Sequence, residues 1–568
     1  MGSENVDTVK DDRKVDHPWL AAYPPKVDWH AELTPRSLPQ MFDASMARFA
    51  AQPCTYFLGK SLTYGEIGEQ TERVAAGLEA SGLKPGDKIG LLLPNCPYFI
   101  MFYFAALKIG CTVVNYNPLY TVEELDHQVR DSETTVMVTL DLKILFEKAE
   151  ALIDSGTLER AVICPFAPML PTVKSVLFRM LKRADLASPQ ASSIAGSLVS
   201  FDELTAHGST YTAADIDPLN DVAVLQYTGG TTGIPKGAML THANLTVNVQ
   251  QVVMWFPDAD EGEERMMAIL PFFHVFAMTG IMNYGLSRGF ELILMPKFEL
   301  DDAIKLIKLK RPTILPGVPT LFNALMNSPK INREDLSSLE YCISGGAPLP
   351  LEIRRGFEEQ AGCSLVEGYG LSESSPVATT NPTEGLVKEN SIGLPLPGTV
   401  ISIRSIEEPE RELPIGEDGE VCIHGPQVMK GYWNKPEATE DIFVGDYLRT
   451  GDVGHMDEDG FTFLIDRLKD LILCSGFNVY PRRIEDAIYE FPPVEEATVI
   501  GVPDDYRGEA PKAFIKLKPG TEATVEEVLE FLKPKLSKIE MPEHIEFRDE
   551  LPKTMVGKLS KKELREDA

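Results

Sequence analysis

Short apolar segments that alternate with helical patterns constrain the fold of this chain more than any other feature. Between residues 82 and 164 the apolar segments are KIGLLLP, CTVVNYNP, TTVMVTL and RAVIC, and a helical pattern lies between each pair. Beyond Met266 the series continues with MMAILPF, FELILMP, PTILPG, EYCISGG and SLVEGYG. Alternation of this kind predicts parallel sheets covered by helices. The sequence therefore predicts an α/β fold with two wound sheets.

Two helix starts carry the pattern of a capping box. Thr121 precedes Glu124 by three residues, and Thr524 precedes Glu527 in the same way. A hydroxyl and a carboxylate at this spacing satisfy the first backbone amides of a helix. We therefore expect helices to begin at these two threonines.

The last third of the chain changes character twice. From Thr399 to Asp466 short strand-like segments alternate with acidic, glycine-rich turns, which predicts a small β subdomain. After Asp466 a unit of about a hundred residues follows, a comfortable size for a separate α+β domain. The expected division is a large domain over residues 1–465, a connection at 466–469 and a small domain over 470–568.

Charge excludes one class of partner. At about 150 residues per domain, 568 residues predict several domains, and their 85 acidic and 54 basic residues give a net charge of −31. A field of this sign repels phosphate backbones. We therefore expect no nucleic-acid partner.

Cysteine spacing and the amino terminus indicate a cytoplasmic location. The start of the chain, MGSENVDTVKDDRK, is polar and lacks the apolar core of a secretion signal. The eight cysteines form no C-x-x-C pair and no disulfide scaffold, which suits a reducing compartment. They are Cys54, Cys96, Cys111, Cys164, Cys342, Cys363, Cys422 and Cys474.

One long apolar segment raises the question of a membrane span. Residues 97–107, PYFIMFYFAAL, are apolar but end at Lys108, whereas a spanning helix needs about 20 apolar residues. The segment is predicted to be a buried core helix, and no transmembrane segment is expected.

A basic stretch interrupts this acidic chain. Between Leu170 and Arg183 there are four basic residues and no acidic one, and five apolar residues share one helical face. One interpretation is an interfacial helix that contacts anionic lipid reversibly; the other is a surface helix docked on the protein's own core. The apolar residues are Val173, Val176, Leu177, Met180 and Leu181, and the basic ones are Lys174, Arg179, Lys182 and Arg183.

The segment YTGGTTGIPKGAMLTH, residues 227–242, predicts a triphosphate site. Its glycines allow the backbone to approach a polyanion, its threonines supply hydroxyl donors and its lysine supplies a cation. A Walker A loop requires G-x-x-x-x-G-K-[ST], which this segment lacks, so a P-loop kinase or ATPase is disfavoured. The candidate residues are Thr228, Gly229, Gly230, Thr231, Thr232, Gly233 and Lys236.

This loop and five later segments resemble the adenylate-forming superfamily, which includes acyl-CoA synthetases, aryl-CoA ligases and luciferases. SGGAPLP at 344–350 and EGYGLSE at 367–373 resemble its adenine-binding segments. TGD at 450–452 resembles its ribose-binding turn, DRLKD at 466–470 its hinge, and PKTMVGK ends with Lys558. The segments follow the family's order from about Leu38 to the end of the chain. The loop, LRTGDVGHMDEDGF and the stretch from DRLKD to RRIED look most like bacterial long-chain fatty acid CoA ligases, with Ser372 where that family usually has threonine.

The resemblance implies a two-step reaction. A fatty acid carboxylate attacks the α-phosphate of ATP and releases pyrophosphate, and the thiol of CoA then converts the acyl-adenylate into acyl-CoA and AMP. The carboxylate is already a nucleophile, so no general base is needed in the first step, and catalysis consists of positioning and charge neutralisation. The alternatives are a CoA ligase for medium-chain, aryl or hydroxycinnamic acids, or a non-catalytic nucleotide- or acyl-binding protein at the membrane.

The resemblance also assigns roles. Glu373 and Thr228 would hold Mg²⁺, a cation that prefers oxygen ligands, while Lys236 would bind the leaving pyrophosphate and Lys558 would bridge the carboxylate and the α-phosphate. Asp452 would accept hydrogen bonds from ribose with help from Arg467. The adenine segments would contribute Gly345, Gly346, Ala347, Glu367, Gly368, Tyr369, Gly370, Leu371 and Ser372.

Further roles concern the second step. Family members rotate the small domain about a hinge, here Lys469, so that Lys558 serves adenylation and the loop with Gly476, Phe477 and Asn478 serves thioester formation. His274 would lie where the acyl and CoA channels meet. Four of these residues also have an alternative interpretation without a functional role. Lys558 would then be a surface lysine and His274 a core histidine. Glu373 and Asp452 would be solvated carboxylates in turns. ATP, CoA, a fatty acid and Mg²⁺ are the expected ligands, and related bacterial enzymes suggest a homodimer.

Overall fold

The computed structural model describes residues 17–228, 235–474, 477–504, 507–554 and 557–567. The site residues predicted at 229–233 and at 476 therefore lie outside the described residues. Strands and helices are numbered below in chain order.

Two large sheets form the amino-terminal part of the described chain. The first has seven strands in the order β7-β6-β5-β3-β4-β8-β9 and is parallel except for β9. Its strands are β3 (Lys88–Leu91), β4 (Thr112–Asn115), β5 (Val136–Leu140), β6 (Arg160–Cys164), β7 (Leu198–Ser200), β8 (Val222–Tyr227) and β9 (Gly237–Thr241).

The second large sheet has nine strands in the order β16-β15-β14-β13-β12-β10-β11-β1-β2. Strands β14 to β1 in this order are parallel, and the outer strands β15, β16 and β2 pair antiparallel. Its strands are β1 (Pro53–Phe57), β2 (Lys60–Thr63), β10 (Arg265–Ala268), β11 (Glu291–Leu294), β12 (Ile314–Gly317), β13 (Tyr341–Gly345), β14 (Leu365–Gly370), β15 (Val377–Thr380) and β16 (Leu394–Pro395).

Two five-stranded sheets complete the fold. An antiparallel sheet contains β17 (Val400–Arg404), β18 (Gly419–His424), β19 (Phe443–Val444), β20 (Tyr447–Met456) and β21 (Thr462–Arg467). The small domain contains β22 (Ile472–Cys474), β23 (Phe477–Val479), β24 (Val494–Asp504), β25 (Gly508–Leu517) and β26 (His544–Phe547). The predicted α/β architecture of two sheets, a β subdomain and a small α+β domain is confirmed.

Helices cover the faces of these sheets. Those of the large domain are α1 (Leu38–Arg48), α2 (Tyr64–Ala80), α3 (Pro97–Lys108), α4 (Val122–Ser132), α5 (Lys143–Asp154), α6 (Thr172–Leu181), α7 (Phe201–Thr205), α8 (His242–Trp255), α9 (Val275–Ala277), α10 (Tyr284–Ser287), α11 (Leu300–Lys310), α12 (Pro319–Met326), α13 (Arg333–Leu336), α14 (Leu351–Ala361) and α15 (Pro436–Ile442). The small domain has α16 (Pro481–Tyr489), α17 (Val525–Leu532) and α18 (Lys561–Asp567).

The local predictions that can be checked are confirmed. Thr121 caps α4 and Thr524 caps α17, each in a reciprocal capping box with its glutamate. All twelve residues of α3 are buried, so the apolar segment is a core helix. Among the described helices, none has the length and apolar character needed to cross a bilayer.

Among the described residues, each hydrophobic cluster lies on one side of the connection between the large and the small domain. One continuous core joins α3 to both large sheets and to the antiparallel sheet, while Ile472, Ile484 and Val499 belong to a separate core in the small domain. The connection is a 3₁₀ turn, Leu468–Asp470, between β21 and β22. The exact boundary at residues 465 and 466 stays a prediction.

The basic helix does not dock its predicted apolar face on the protein's core, so that alternative is wrong. That segment forms α6, and no residue of α6 is buried. Only Phe178 contacts the interior, where its ring packs on Phe166.

Candidate active site

The predicted phosphate loop connects the end of β8 to the start of β9. The Thr228 amide donates to the Lys236 carbonyl over 3.0 Å, which closes the loop at its base. The loop residues Gly229, Gly230, Thr231, Thr232 and Gly233 lie outside the described residues. The structure therefore places the two flanks of the loop, Thr228 and Lys236.

Tyr432 contacts both Lys236 and Glu373. The Lys236 ammonium is 5.0 Å from the ring centroid of Tyr432, and the Tyr432 hydroxyl donates to Glu373 Oε1 over 2.6 Å. Glu373 is buried in the 3₁₀ turn Ser372–Ser374, and its carbonyl accepts from the Met429 amide. The solvated-turn alternative for Glu373 is therefore wrong.

The oxygen donors at this position fit a magnesium ion that is shared with phosphates. Mg²⁺ in such sites takes one or two protein carboxylates and completes its shell with phosphate oxygens and water. Glu373 supplies a buried carboxylate beside the phosphate-loop lysine. Magnesium held by Glu373 and Thr228 stays a prediction.

Glycines lie at the ends of β13 and β14. Gly346 has φ +79°, and a Cβ on Gly370 would lie 1.9 Å from the Pro376 carbonyl oxygen, so glycine is required at both positions. Gly345 and Gly368 pair in register across the two strands. Ala347 follows β13, and Leu371 and Ser372 follow β14, so the predicted adenine residues meet at one edge of the sheet.

Asp452 lies at the centre of the predicted ribose site, in contact with Arg467 and Tyr369. It lies on β20 opposite Arg467 of β21, and Arg467 Nε is 3.0 Å from Asp452 Oδ1. The Tyr369 hydroxyl donates to Asp452 Oδ2 over 2.6 Å. Only 3% of Asp452 is exposed, so this carboxylate is buried and paired rather than solvated. Its charge raises the pKa of Arg467.

Lys558 reaches this group from the small domain. A Cβ on Gly346 would lie 2.9 Å from Lys558 Cε and 3.4 Å from its Nζ. Burial and the charge of Arg467 lower the pKa of Lys558 to about 8, while Asp452 opposes the shift. The alternative of an exposed surface lysine is therefore wrong. In this arrangement the Lys558 ammonium faces the predicted nucleotide site.

Two hydrogen bonds to backbone carbonyls hold the small domain in this position. Thr320 Oγ1 donates to the Gly557 carbonyl over 2.7 Å, and Asn323 Nδ2 donates to the Glu495 carbonyl over 3.2 Å. Both donors lie on α12. The turn before Lys558 is closed by the Thr554 amide, which donates to the Lys558 carbonyl.

Glu367 meets charged groups of the small domain at the same interface. Burial raises the pKa of Glu367 to about 7, and the positive charge of Arg482 opposes that shift. Burial likewise raises the pKa of Asp486 to about 6. Glu367 Oε1 also accepts from the Leu349 amide over 3.3 Å. Its carboxyl is thus a buried interdomain group.

His274 lies beside the end of β13. Its Nδ1 accepts from the Phe276 amide over 3.3 Å, and the Phe276 ring lies 3.0 Å from where a Cβ on Gly345 would be. Burial, and to a smaller extent the charge of Lys558, lowers the pKa of His274 to about 3, so the ring is neutral at pH 7. Its part in an acyl or CoA channel stays a prediction.

Comparison with known proteins places the chain in a family. The family model described as AMP-binding enzyme matches residues 42–433, and that of the AMP-binding enzyme C-terminal domain matches residues 483–558. The chain belongs to the AMP-binding, adenylate-forming enzymes.

Two relatives and one solved structure illustrate the similarity. A long-chain-fatty-acid--CoA ligase of Bacillus subtilis is 42% identical over 97% of this chain and 98% of its own. One of Escherichia coli is 36% identical over the same shares. ATP-bound MatB from Rhodopseudomonas palustris superposes with a TM-score of 0.81 at 29% identity, covering 94% of this chain and 99% of its own.

The hinge and the second-step loop of this AMP-binding enzyme are described in part. Lys469 lies in the 3₁₀ turn, where burial and Arg467 lower its pKa. Gly476 lies outside the described residues. Phe477 and Asn478 begin β23, paired with Cys474 and Leu473, and only their backbone is described.

The sequence interpretation missed Tyr432, which joins Lys236 to Glu373. A weak signal was present, because two aromatic residues stand together in the loop KGYWNKP, where no apolar periodicity assigns them to the core. Thr320, Asn323 and Gly557 were missed as well, because nothing in the sequence indicates which surface the small domain contacts.

We predict that Tyr432→Phe weakens magnesium binding during turnover. The ring that faces Lys236 stays, but Glu373 loses a hydrogen bond, and such a bond to a charged group is worth ~1.5 kcal/mol or more. The magnesium concentration for half-maximal AMP formation should rise about tenfold, which a titration at saturating ATP measures. Tyr56→Phe is the control, because its ring also faces a lysine, Lys310. An unchanged magnesium dependence would contradict the prediction.

A second prediction concerns pH. If Lys558 must be protonated, kcat/KM for ATP in the adenylation half-reaction should fall about tenfold per pH unit above pH 8, because kcat/KM reports groups of the free enzyme. Pyrophosphate release without CoA measures it. In Lys558→Arg the guanidinium stays charged, so the alkaline fall should disappear even if the rate is lower. A wild-type profile that is flat to pH 10 would refute the assignment.

Proposed function

We propose that this AMP-binding enzyme is an ATP-dependent acyl-CoA ligase that activates long-chain fatty acids. The observation that carries the proposal is the position of Lys558, which a separate domain brings over Gly346, near the buried carboxylate of Asp452 and its partners Arg467 and Tyr369. A cation that a second domain supplies to the proposed nucleotide site suits a reaction in which two anions must meet.

In the first step a carboxylate oxygen forms a bond to the α-phosphorus of ATP, and the bond to the leaving pyrophosphate breaks. Two anions repel, so the barrier falls when cations hold both in line. Lys558 would contact the carboxylate and the α-phosphate, and Lys236 would contact the leaving pyrophosphate. Asp452 and Tyr369 would hold the ribose end, so that the reacting phosphorus is fixed.

Magnesium, bound by Glu373 and Thr228, would supply positive charge to the phosphates. Tyr432 positions Glu373 for this task through its hydroxyl, and its ring keeps Lys236 on the same side.

In the second step the thiol of CoA adds to the acyl carbonyl and AMP leaves with the bonding pair, while the thiol proton passes to solvent or a base. Lys558 has no task here. The small domain would rotate about Lys469 and present the loop with Gly476, Phe477 and Asn478 instead. His274, neutral at pH 7, would stand where acyl group and thiol meet.

The long-chain substrate is supported by the names of the 42% and 36% identical relatives. A rival proposal keeps the reaction and replaces the substrate by medium-chain, aryl or hydroxycinnamic acids, because exchange of a few pocket residues changes acid preference without touching the nucleotide site. A non-catalytic binder is disfavoured, since such a protein has no need to desolvate the Lys558 ammonium.

Residues 1–465 and 470–568 are proposed as the two rigid units of this motion. The enzyme is proposed to work in the cytoplasm, in part at the inner face of the membrane. A homodimer is also proposed, and light scattering on the purified chain tests it directly.

Product analysis tests the reaction and the substrate together. Wild type should convert ATP to AMP and release pyrophosphate with acids from acetate to palmitate and coumarate, with a maximum at long chains. Lys558→Gln should lose at least a hundredfold in AMP formation, while Lys562→Gln, which changes an exposed lysine nearby, should not. A maximum at aryl acids would contradict the proposed long-chain substrate but keep the proposed reaction. ADP as product, or no turnover with any acid, would contradict the proposed reaction.

The rotation gives a separate prediction. Lys469→Pro fixes φ at the hinge, so thioester formation should fall at least tenfold more than adenylation. Single-turnover measurements with preformed acyl-adenylate and CoA separate the two steps, and Lys469→Ala controls for loss of the side chain. Equal losses in both half-reactions would refute the hinge.

A further inference from the structure

Helix α6 (Thr172–Leu181) exposes a row of large apolar side chains. Exposure ranges from 48% to 77% of each residue, although large apolar side chains normally lie inside a protein. The exposed residues are Val173, Val176, Leu177, Met180 and Leu181.

Residues outside the apolar row attach α6 to the rest of the protein. The Phe178 ring packs on Phe166 with the ring centroids 5.0 Å apart. Lys174 Nζ donates to the Leu58 carbonyl over 3.0 Å, which ties the helix to the turn between β1 and β2. The helix is thus attached through one side and leaves its apolar residues to solvent.

Positive charge surrounds this row. Four basic residues and no acidic one lie between Leu170 and Arg183, in a chain of net charge −31. Lys60 adds a fifth, because its Nζ donates to the Pro168 carbonyl just before α6. The acidic groups that face them are Asp185, 3.4 Å from Lys182, and Asp141, which interacts with Arg179.

We propose that α6 and the β1–β2 turn form a docking surface for an anionic lipid bilayer. A helix of ten residues is ~15 Å long at 1.5 Å per residue, too short to cross a membrane but long enough to lie in the interface plane. An apolar face flanked by Lys and Arg is the arrangement that such helices use. Leu58, 37% exposed at the turn, extends the apolar area.

Charge also decides between a bilayer and a second copy of the chain. Two copies that pair through α6 would bring basic residues against basic residues, and no acidic patch on α6 complements them. A bilayer that contains acidic headgroups complements both the apolar row and the charge. The apolar row and its basic neighbours support this docking surface without reference to the substrate; the proposed long-chain acid, which partitions into bilayers, gives the surface a use.

Vesicle co-sedimentation of the purified full chain tests the surface. Wild type should bind vesicles of phosphatidylcholine and phosphatidylglycerol, and bind pure phosphatidylcholine much more weakly, with salt reducing the difference. Val173→Glu combined with Met180→Glu should weaken binding at least about tenfold. Lys182→Gln combined with Arg183→Gln should weaken it about fivefold per charge removed.

Leu309→Glu is the matched control, because Leu309 is 67% exposed on the surface helix α11. This variant should bind vesicles as wild type does. AMP formation with a water-soluble acid should be unchanged in the α6 variants, which shows that they fold and separates this proposal from the catalytic one. The proposal would be overturned if wild type did not sediment with vesicles or bound both vesicle types equally. It would also be overturned if the α6 variants bound vesicles as wild type does, or if wild type self-associated and the α6 variants did not.

Discussion

The buried carboxylate of Asp452 is the charge on which the organisation of this site depends. It pairs with Arg467 across neighbouring strands and accepts the Tyr369 hydroxyl, so it joins the antiparallel sheet to the edge of the nine-stranded sheet. A buried carboxylate is costly unless it is paired. The pairing in turn places a guanidinium beside Lys558, whose pKa falls as a result of burial and this like charge. The charges of the proposed ribose site therefore act directly on the protonation of Lys558.

The two halves of the site differ in how they are built. Glu373, Tyr432 and Lys236 all belong to the large domain, and their contacts do not depend on the position of the small domain. Lys558, by contrast, belongs to the small domain, which hydrogen bonds from Thr320 and Asn323 hold against the large domain. A phosphate side formed within one domain and a lysine supplied by another suit the proposed sequence of two reactions on one nucleotide.

Much of the fold could be predicted because it follows from local patterns. Strand-length apolar segments alternate with helices, and capping pairs such as Thr121 and Glu124 mark where a helix begins. The glycine, acid and lysine positions of the site follow from the family resemblance. The position of Lys558 could not be derived from local patterns, because it depends on contacts between α12 and a distant turn. The exposure of α6 could not be derived either, since an amphipathic row indicates a partner without saying whether it is the protein's own core.

The docking of the small domain on α12 has a consequence for how such enzymes diverge. Thr320 and Asn323 donate to main-chain carbonyls of Gly557 and Glu495. These two contacts therefore depend on the path of the small domain's backbone and not on the identity of its side chains. Gly557 is the exception, because a Cβ there would lie 3.1 Å from both Thr320 and Val318, and its φ is +80°. For these two contacts a small domain needs only to keep this glycine and this backbone path, so its other side chains can change without loss of either hydrogen bond.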